Sequence, residues 1–306
     1  MSNRESAIGA REGQTFEGSS LAVRYVNLVK LPHTVFALPF ALVGVIFASY
    51  EKPVSWHDVL WVVVAFTSAR FAAMAFNRIV DRGYDAMNPR TVAREIPTGV
   101  ISVWNAGSAV AVASFVFVLA TWNLNPLCFR LSPLALALVL GYSYTKRFTR
   151  WSHLVLGLGL AIAPVGGYLA VAGGWSTPWW ILGLLAFGVM CWVAGFDVFY
   201  SMQDVSFDRE HGLHSLPVAA GEQRALAFAR VLHISTVASL ALVGLSLGLG
   251  LLYWAGVAVV LGLLVYEHSL VRADDLKRLD AAFFSMNGII SIAFFFFVLA
   301  ERLSRR

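Results

Sequence analysis

The sequence predicts an all-α fold, a multi-span membrane bundle of nine transmembrane helices. Of the 306 residues, 58% are hydrophobic and only 13% are charged, whereas a soluble domain carries about 25% charged residues. Apolar stretches close to the roughly 20 residues needed to cross the hydrocarbon core recur along the chain. Because lipid offers no partner to backbone amides, such stretches are expected to form helices rather than open sheets.

The predicted spans follow one another with short polar connections. They cover residues 33–50, 57–77, 102–122, 128–145, 152–172, 179–200, 225–247, 249–267 and 282–301. Residues 1–21 are polar and lack the basic-then-apolar pattern of a signal peptide. We therefore expect a flexible N-terminal tail over residues 1–21 and one transmembrane domain over residues 22–306. Cys128 and Cys191 fall in or beside apolar spans, which predicts buried thiols and no disulfide framework.

Lysine and arginine are unevenly distributed between the two sets of loops. We count about sixteen on the side of the N-terminus and about five on the other side, and the richer side is normally cytoplasmic. The sequence therefore predicts a multi-pass protein of the inner (plasma) membrane with a cytoplasmic N-terminus. The sequence pI near 9.4 is explained by this bias and by anionic lipid headgroups, so membrane lipid is an expected partner and nucleic acid is not.

Two groups of polar residues stand at the ends of the second and sixth spans, which lie on the same membrane face. The first motif consists of Asn77, Asp81 and Asp85. The second motif consists of Asp197, Tyr200, Asp204 and Asp208. If each helix continues through its motif, the acids of that motif share one face, because residues four apart lie on the same side of a helix.

Such acids are costly in a membrane unless something neutralises them. An ionised aspartate at the centre of a spanning helix costs about 2.5–3.5 kcal/mol, less near the interface. Magnesium prefers a few carboxylate oxygens, retained waters and phosphate oxygens. Two facing sets of carboxylates therefore predict a Mg²⁺ site that holds a diphosphate, with nearby lysines and arginines completing its neutralisation.

The two patterns, Asn-x3-Asp-x3-Asp and Asp-x2-Tyr-x3-Asp-x3-Asp, resemble those of the UbiA superfamily of intramembrane prenyltransferases. Residues 88–99 are similar to the family's segment after its first motif, and residues 142–149 to its basic loop after the fourth span. The resemblance extends over about residues 30–301. It implies a bundle around a central cavity that opens laterally to lipid, and transfer of a polyprenyl group from a polyprenyl diphosphate to an aromatic acceptor.

The resemblance also implies roles for individual residues. The expected Mg²⁺ ligands are Asn77, Asp81, Asp85, Asp204 and Asp208. The expected catalytic residues are Asp81, Asp197, Tyr200 and Asp204, and the base that takes the acceptor's proton stays open between Asp197 and Asp204. The expected substrate-binding residues are Asn77, Arg78, Lys146, Arg147, Arg94, His33 and Arg70. The rings of Tyr200, Tyr142 and Phe76 are candidates for stabilising an allylic cation.

Residues 30–40, 75–78 and the stretch from 266–268 through 287–288 resemble the 4-hydroxybenzoate polyprenyltransferase-like subgroup, which acts in quinone biosynthesis. The chain lacks the Lys-Pro-x-Gly pattern of the ubiquinone-pathway members. The acceptor is therefore expected to be a phenolic aromatic acid, either 4-hydroxybenzoate for ubiquinone or 1,4-dihydroxy-6-naphthoate for menaquinone. In the last cytoplasmic loop, we expect Glu267, His268, Asp274 and Asp275 to be solvated.

Two alternatives remain open, and the sequence argues against a third. A membrane transporter would place acids near the middle of the bilayer and use broken helices. A UbiA-type prenyltransferase with a different acceptor would share all the motifs described above. A magnesium-dependent phosphotransferase for lipid alcohols would carry an Asp-Gly-x2-Ala-Arg core, which this sequence lacks.

Overall fold

A computed structural model describes residues 20–175, 177–271 and 286–305, without the side chains of residues 31–36. Within these ranges the chain is helical and contains no strand, which confirms the predicted all-α fold class. The α-helices of these ranges are α1 (Leu21–Leu28), α2 (Leu31–Ala48), α3 (Trp56–Met87), α4 (Val103–Leu124), α5 (Pro126–Gly141), α6 (Ser152–Ala172), α7 (Trp179–Ser201), α8 (Val205–Glu210), α9 (Leu216–Ala220), α10 (Glu222–Ser246), α11 (Leu251–Leu270) and α12 (Asn287–Ser304).

Each predicted span corresponds to one of these helices. Eight helical segments of the described chain are long and apolar enough to cross a membrane, and the part of α2 over Ala37–Ala48 is a shorter apolar helix. The predicted count of nine is thus consistent with the structure. Most of the expected tail lies outside the described residues, but α1 already begins at Leu21, where the Ser20 hydroxyl accepts a hydrogen bond from the Val23 amide at 3.3 Å.

The helices pack as two groups that share α2 and α6. The first group consists of α2, α3, α4, α5 and α6, each packed against the next. The second group consists of α6, α7, α10, α11, α12 and α2, packed in that order. Gly44 of α2 and Gly167 of α6 lie against the opposite helix, and a Cβ at either would collide with a backbone carbonyl, of Pro164 and Ala41 respectively. Small residues allow this close backbone approach, which is a common way for helices to associate in lipid.

Exposed tryptophans surround both ends of the bundle, as expected at membrane interfaces. Trp104 and Trp151 are exposed at the end where the two motifs lie, and Trp56, Trp122 and Trp179 at the other end. Side chains with an apolar ring and a polar N–H are suited to this position.

The two motifs differ in backbone structure. Helix α3 runs ten residues beyond the predicted 77, so it continues through the first motif as expected. After α7, however, a 3₁₀ turn over Met202–Asp204 precedes α8. The condition of an uninterrupted α-helix through the second motif is therefore not met, because a 3₁₀ turn has three residues per turn rather than 3.6. The four residues of this motif nevertheless line one cavity, as sharing a helical face would predict.

The expected solvated loop at Glu267 and His268 is also wrong. Both residues belong to α11, and Glu267 is fully buried. The Asn287 side-chain amide donates to Glu267 Oε1 at 3.3 Å, and His268 Nε2 lies 3.0 Å from His233 Nδ1. The start of α12 covers this end of α11, which sequence spacing did not indicate. Asp274 and Asp275 lie outside the described residues.

Candidate active site

A polar cavity and an apolar cavity lie next to each other and share part of their walls. The polar cavity, of about 250 Å³, is lined by all the residues of both motifs. The apolar cavity, of about 270 Å³, lies between α2, α3, α4, α5 and α6 and contains Cys128 and Gly166 in its wall. The residues common to both are Arg70, Tyr142, Leu156 and Leu160. Together the cavities fit a molecule with an anionic head and a long apolar tail.

In the first motif, α3 places the three side chains at successive turns. The Asn77 amide donates to Asp81 Oδ2 at 2.8 Å. Arg147 Nη2 contacts Asp81 Oδ1 at 3.2 Å and donates to the Val80 carbonyl at 2.7 Å. Arg94 Nη1 contacts Asp85 Oδ1 at 2.7 Å. Each aspartate of this motif thus has an arginine partner from another segment.

The second motif has the same arrangement. Arg90 donates from Nε to Asp204 Oδ1 at 3.0 Å and from Nη2 to Asp204 Oδ2 at 2.6 Å, and the Asn88 amide donates to Oδ1 at 2.9 Å. Lys146 Nζ lies 2.8 Å from Asp208 Oδ1. Asp204 and Asp208 are buried, so these pairs offset the cost of removing the carboxylates from water.

The four aspartates therefore meet four cations one to one, and this arrangement determines what the site can bind. Binding of a ligand with two or three negative charges is therefore favourable in two cases. The ligand brings cations with it, or the lysine and the arginines leave their carboxylates and contact the ligand instead. A metal ion next to the carboxylates and phosphate oxygens next to the freed cations satisfy both requirements.

The residues present fit magnesium. Among the described residues there is no cluster of three or more His, Cys, Asp or Glu side chains that could hold a metal. Magnesium rarely uses such a cage and instead takes one or two carboxylates, waters and substrate phosphates. Asp85 Oδ2 is buried without a hydrogen-bond partner in the part of the chain that the structure describes, so a carboxylate oxygen is available for a ligand. Asn77, Asp81, Asp85, Asp204 and Asp208 all face the polar cavity and would hold the ion.

Asp197 and Tyr200 lie in α7, before the 3₁₀ turn. Asp197 Oδ2 lies 2.6 Å from Nδ1 of His153, a histidine in the first turn of α6. The Tyr200 hydroxyl accepts a hydrogen bond from Arg90 Nη1 at 2.7 Å, and Arg90 Cζ lies 4.9 Å from the Tyr200 ring centroid. One face of that ring is thus already next to a cation.

The structure separates the other expected site residues into three groups. Lys146, Arg147 and Arg94 line the polar cavity beside the motifs. Arg70 lies at the junction of the cavities, and its Nε is buried with no hydrogen-bond partner among the described residues. Arg78 also borders the polar cavity, but its Nε donates to the Leu28 carbonyl at 3.4 Å, a contact that joins α3 to α1. The His33 side chain lies outside what the structure describes.

The candidate aromatic rings differ in position. Tyr142 borders both cavities. Phe76 packs against Tyr144 with the ring centroids 6.0 Å apart. Tyr142 is therefore the ring nearest the boundary at which a head group and a tail would meet.

Four site residues were missed by sequence reasoning. They are Lys30, Asn88, Arg90 and His153. Asn88 and Arg90 lie in the segment 88–99, whose resemblance to the family predicts no individual role for these two residues. Lys30 has a left-handed backbone conformation, with φ of 45°, at the break between α1 and α2, and an L-residue in that conformation is strained.

The loop between α3 and α4 carries one more buried acid, Glu95. Burial raises the pKa of Glu95 above its ordinary value, and the cations of Arg78, Arg94 and Lys30 act in the opposite direction. Glu95 does not line the polar cavity. We therefore regard it as part of the packing of the loop that carries Arg90 and Arg94, and not as a residue of the site.

Comparison with known proteins agrees with this geometry. Residues 37–297 match the model of the UbiA prenyltransferase family. The chain is 29% identical over 273 residues to the 4-hydroxybenzoate octaprenyltransferase of Burkholderia vietnamiensis, covering 88% of this chain and 92% of that protein. It is 28% identical over 241 residues to the enzyme of the same name from Aliivibrio fischeri, covering 78% and 83%.

Two solved structures share the fold. The apo structure of a UbiA homologue from Aeropyrum pernix has a TM-score of 0.79 and 32% identity, covering 89% of this chain and 98% of that one. A UbiA homologue from Archaeoglobus fulgidus, bound to DMAPP and Mg²⁺, has a TM-score of 0.72 and 21% identity, covering 92% and 99%.

Proposed function

The chain belongs to the UbiA prenyltransferase family, and on that premise we propose that it transfers a polyprenyl group from a polyprenyl diphosphate to a phenolic aromatic carboxylate. The enzyme is an aromatic prenyltransferase. The candidate acceptors are 4-hydroxybenzoate and 1,4-dihydroxy-6-naphthoate. The observation that carries the proposal is the junction of an acid-lined and an apolar cavity at Arg70 and Tyr142.

The diphosphate head belongs in the polar cavity. There Arg90, Arg94, Lys146 and Arg147 turn from their aspartates to the phosphate oxygens, and the aspartates hold the metal. When Mg²⁺ is bound, it supplies Lewis-acid neutralisation of the leaving diphosphate. The Archaeoglobus fulgidus homologue bound to DMAPP and Mg²⁺ supports this assignment. Once the substrate is bound and these cations contact the phosphate oxygens, they stabilise the charge of the leaving group without further reorganisation during bond cleavage.

The polyprenyl tail belongs in the apolar cavity, with its reactive C1 at the junction. When the C1–O bond breaks, the electron pair leaves with the diphosphate and an allylic cation remains. The Tyr142 ring borders this point and presents π-electron density to the cation. The surrounding apolar wall excludes water, which would otherwise capture the cation.

The acceptor belongs at the same junction, and Arg70 is the donor available for its carboxylate. An arginine matches a carboxylate with two parallel hydrogen bonds. The base for the acceptor's phenol is best assigned to Asp197. The competing Asp204 is one of the aspartates proposed to hold the metal, whereas Asp197 is not among them and is partnered by one histidine nitrogen.

A transporter reading has less support from the described residues. The acids lie at one end of the bundle rather than midway, and the 3₁₀ turn after α7 interrupts a helix at its end rather than in its middle. Midway carboxylates and half-helices are what a transport pathway requires.

Prenyl transfer by the purified protein in lipid tests the proposal. The assay contains Mg²⁺, a polyprenyl diphosphate and each acceptor in parallel, with EDTA as the metal-free control. We expect product from one acceptor and none with EDTA. Product from neither acceptor would contradict the proposed acceptor class, and product unaffected by EDTA would contradict the metal assignment.

A further inference from the structure

Asp197 differs from the other acids of the polar cavity in the kind of partner it has. Asp81, Asp85, Asp204 and Asp208 each pair with an arginine or a lysine. Asp197 pairs with His153, at 2.6 Å from Nδ1 to Oδ2. Both residues line the polar cavity. A role other than binding the metal or the diphosphate would explain why Asp197 is not paired with an arginine or a lysine.

The hydrogen bonds of His153 determine which of its nitrogens carries the proton. The backbone N–H of Leu216, at the start of α9, donates to His153 Nε2 at 3.2 Å. Nε2 must therefore be the acceptor, and Nδ1 carries the hydrogen that is donated to Asp197 Oδ2. In this arrangement His153 uses one ring nitrogen as an acceptor and the other as a donor, and the Asp197 carboxylate accepts.

The same contacts determine how Asp197 is presented. His153 is buried, with 3% of its surface exposed, while the Asp197 side chain is 23% exposed. His153 contacts only one oxygen of the carboxylate. The two-bond pair of Arg90 with Asp204 engages both oxygens. A single donor on a fixed ring thus orients Asp197 and leaves its second oxygen accessible from the cavity.

We propose that His153 is a positioning residue that orients Asp197 and aims its free oxygen, Oδ1, at the phenol of the acceptor. This inference rests on the proposed function, because it requires a phenolic acceptor at the junction. His153 itself does not reach the reacting atoms. The Leu216 amide occupies its second nitrogen, so the ring is not a proton relay.

Prenyl transfer to the acceptor proceeds in two steps. The acceptor's ring carbon ortho to the hydroxyl forms a bond to C1 of the prenyl cation while the phenol proton passes to Asp197 Oδ1, giving a cyclohexadienone. Loss of the proton from that ring carbon and return of the proton from Asp197 to the oxygen restore the aromatic phenol. The ring proton leaves with the diphosphate. Asp197 ends the cycle ionised, again paired with His153.

Two substitutions separate the two contacts of His153. The amide nitrogen of asparagine occupies the place of Nδ1, so His153→Asn keeps a donor for Asp197 and loses the acceptor for Leu216. The side-chain oxygen of glutamine reaches the place of Nε2, so His153→Gln keeps the acceptor for Leu216 and loses the donor at Nδ1. His214→Gln, on an exposed histidine, is the matched control.

The assay measures steady-state prenyl transfer in lipid with each acceptor, for wild type and the three variants. We expect His153→Gln to lower kcat by about tenfold to a hundredfold, below the 10²–10⁴-fold that a general base contributes. The KM for the polyprenyl diphosphate should change less than twofold. His153→Asn should recover most of the lost kcat, and His214→Gln should match wild type.

A second readout responds to base catalysis and not to packing. A ring-fluorinated acceptor has a more acidic phenol and needs less help from a base. The deficit of His153→Gln relative to wild type should therefore shrink with this acceptor. A deficit of equal size with both acceptors would overturn the inference, as would His153→Asn being slower than His153→Gln.

Failure of the proposed function has a different signature. If wild type prenylates neither acceptor, the assignment of a phenolic acceptor fails and the inference about His153 falls with it. If wild type is active and His153→Gln keeps the wild-type kcat, only the positioning role is overturned.

Discussion

Arg90 and Asp204 form a two-bond ion pair, with Nε 3.0 Å from Oδ1 and Nη2 2.6 Å from Oδ2. Arg90 belongs to the loop after α3, and Asp204 to the 3₁₀ turn after α7. This pair therefore joins the segment that follows the first motif to the second motif. It holds the two sides of the polar cavity together before any ligand binds.

Removing this arginine should destabilise the metal-free protein. Arg90→Met leaves the buried Asp204 without its cationic partner, and breaking a buried pair costs about 3–5 kcal/mol. We expect a lower Tm in EDTA and partial recovery with Mg²⁺, measured by thermal unfolding in lipid nanodiscs. Arg130→Met, on an exposed arginine at the other end of the bundle, is the control. An Arg90→Met protein as stable as wild type in EDTA would contradict the role of the pair.

The aspartates of the motifs should be needed for turnover and not for folding. In Asp81→Asn and Asp208→Asn the shape is kept and the charge is lost, which removes a metal ligand. We expect prenyl transfer to fall by about 10²–10³-fold, with an unchanged elution profile in size-exclusion chromatography. Glu210→Gln, on an exposed acid of α8, should keep wild-type activity. Activity within twofold of wild type in both aspartate variants would contradict the assignment.

Arg70 should act on the acceptor and not on the prenyl donor. Losing a hydrogen bond to a charged group costs about 1.5–3 kcal/mol, so Arg70→Met should raise the acceptor KM by roughly tenfold to 150-fold. The KM for the polyprenyl diphosphate should change little. With a phenolic acceptor that lacks the carboxylate, wild type and variant should behave alike. An equal loss with both acceptors would exclude carboxylate recognition by Arg70.

The apolar cavity should set the preference for long prenyl chains. Gly166 lines it, and a Cβ there would meet no atom within 4 Å, so Gly166→Phe places a ring in the tail's path without a backbone collision. If the ring excludes two methylene groups of the tail from the cavity, the burial free energy lost is about 0.8 kcal/mol for each group. This corresponds to roughly a 15-fold loss in kcat/KM for a long polyprenyl diphosphate. Geranyl diphosphate should be nearly unaffected.

The control for this substitution is Gly262→Phe. Gly262 is exposed on α11, and a Cβ there also meets no atom within 4 Å. We expect this variant to keep the wild-type chain-length preference. If both phenylalanine variants lose long-chain activity equally, the apolar cavity is not the site of the tail.

The motifs should face the cytoplasm. Cys128 and Cys191 are both buried, so we expect the native cysteines to give little maleimide labelling. Labelling of cysteines introduced by Thr98→Cys and Pro53→Cys can then be measured directly. Thr98 lies in the loop that follows the first motif, and Pro53 in the connection between α2 and α3 at the other end. A membrane-impermeant maleimide should label Pro53→Cys in intact cells and Thr98→Cys only after permeabilisation. Labelling of both from one side would contradict the orientation.

The sequence by itself determined the spans and the two motifs. A stretch of about 20 apolar residues becomes a helix in lipid wherever it occurs, so nine spans were predictable from local composition. The i+4 spacing of the first motif was also local, because α3 continues through it. The 3₁₀ turn in the second motif was not predictable in this way, because Met202–Asp204 contains no glycine or proline that would indicate a break in the helix.

Only the tertiary structure decided how the charged groups are paired. Arg90 and Asp204 are separated by 114 residues, and His153 and Asp197 by 44. No spacing rule connects such positions, because their contact depends on how α6, α7 and the loop after α3 pack together. Glu267 shows the same dependence, since its burial follows from the start of α12 covering the end of α11. Helix formation is decided within one segment, whereas the partner of a buried charge is decided by segments that meet only in the folded bundle.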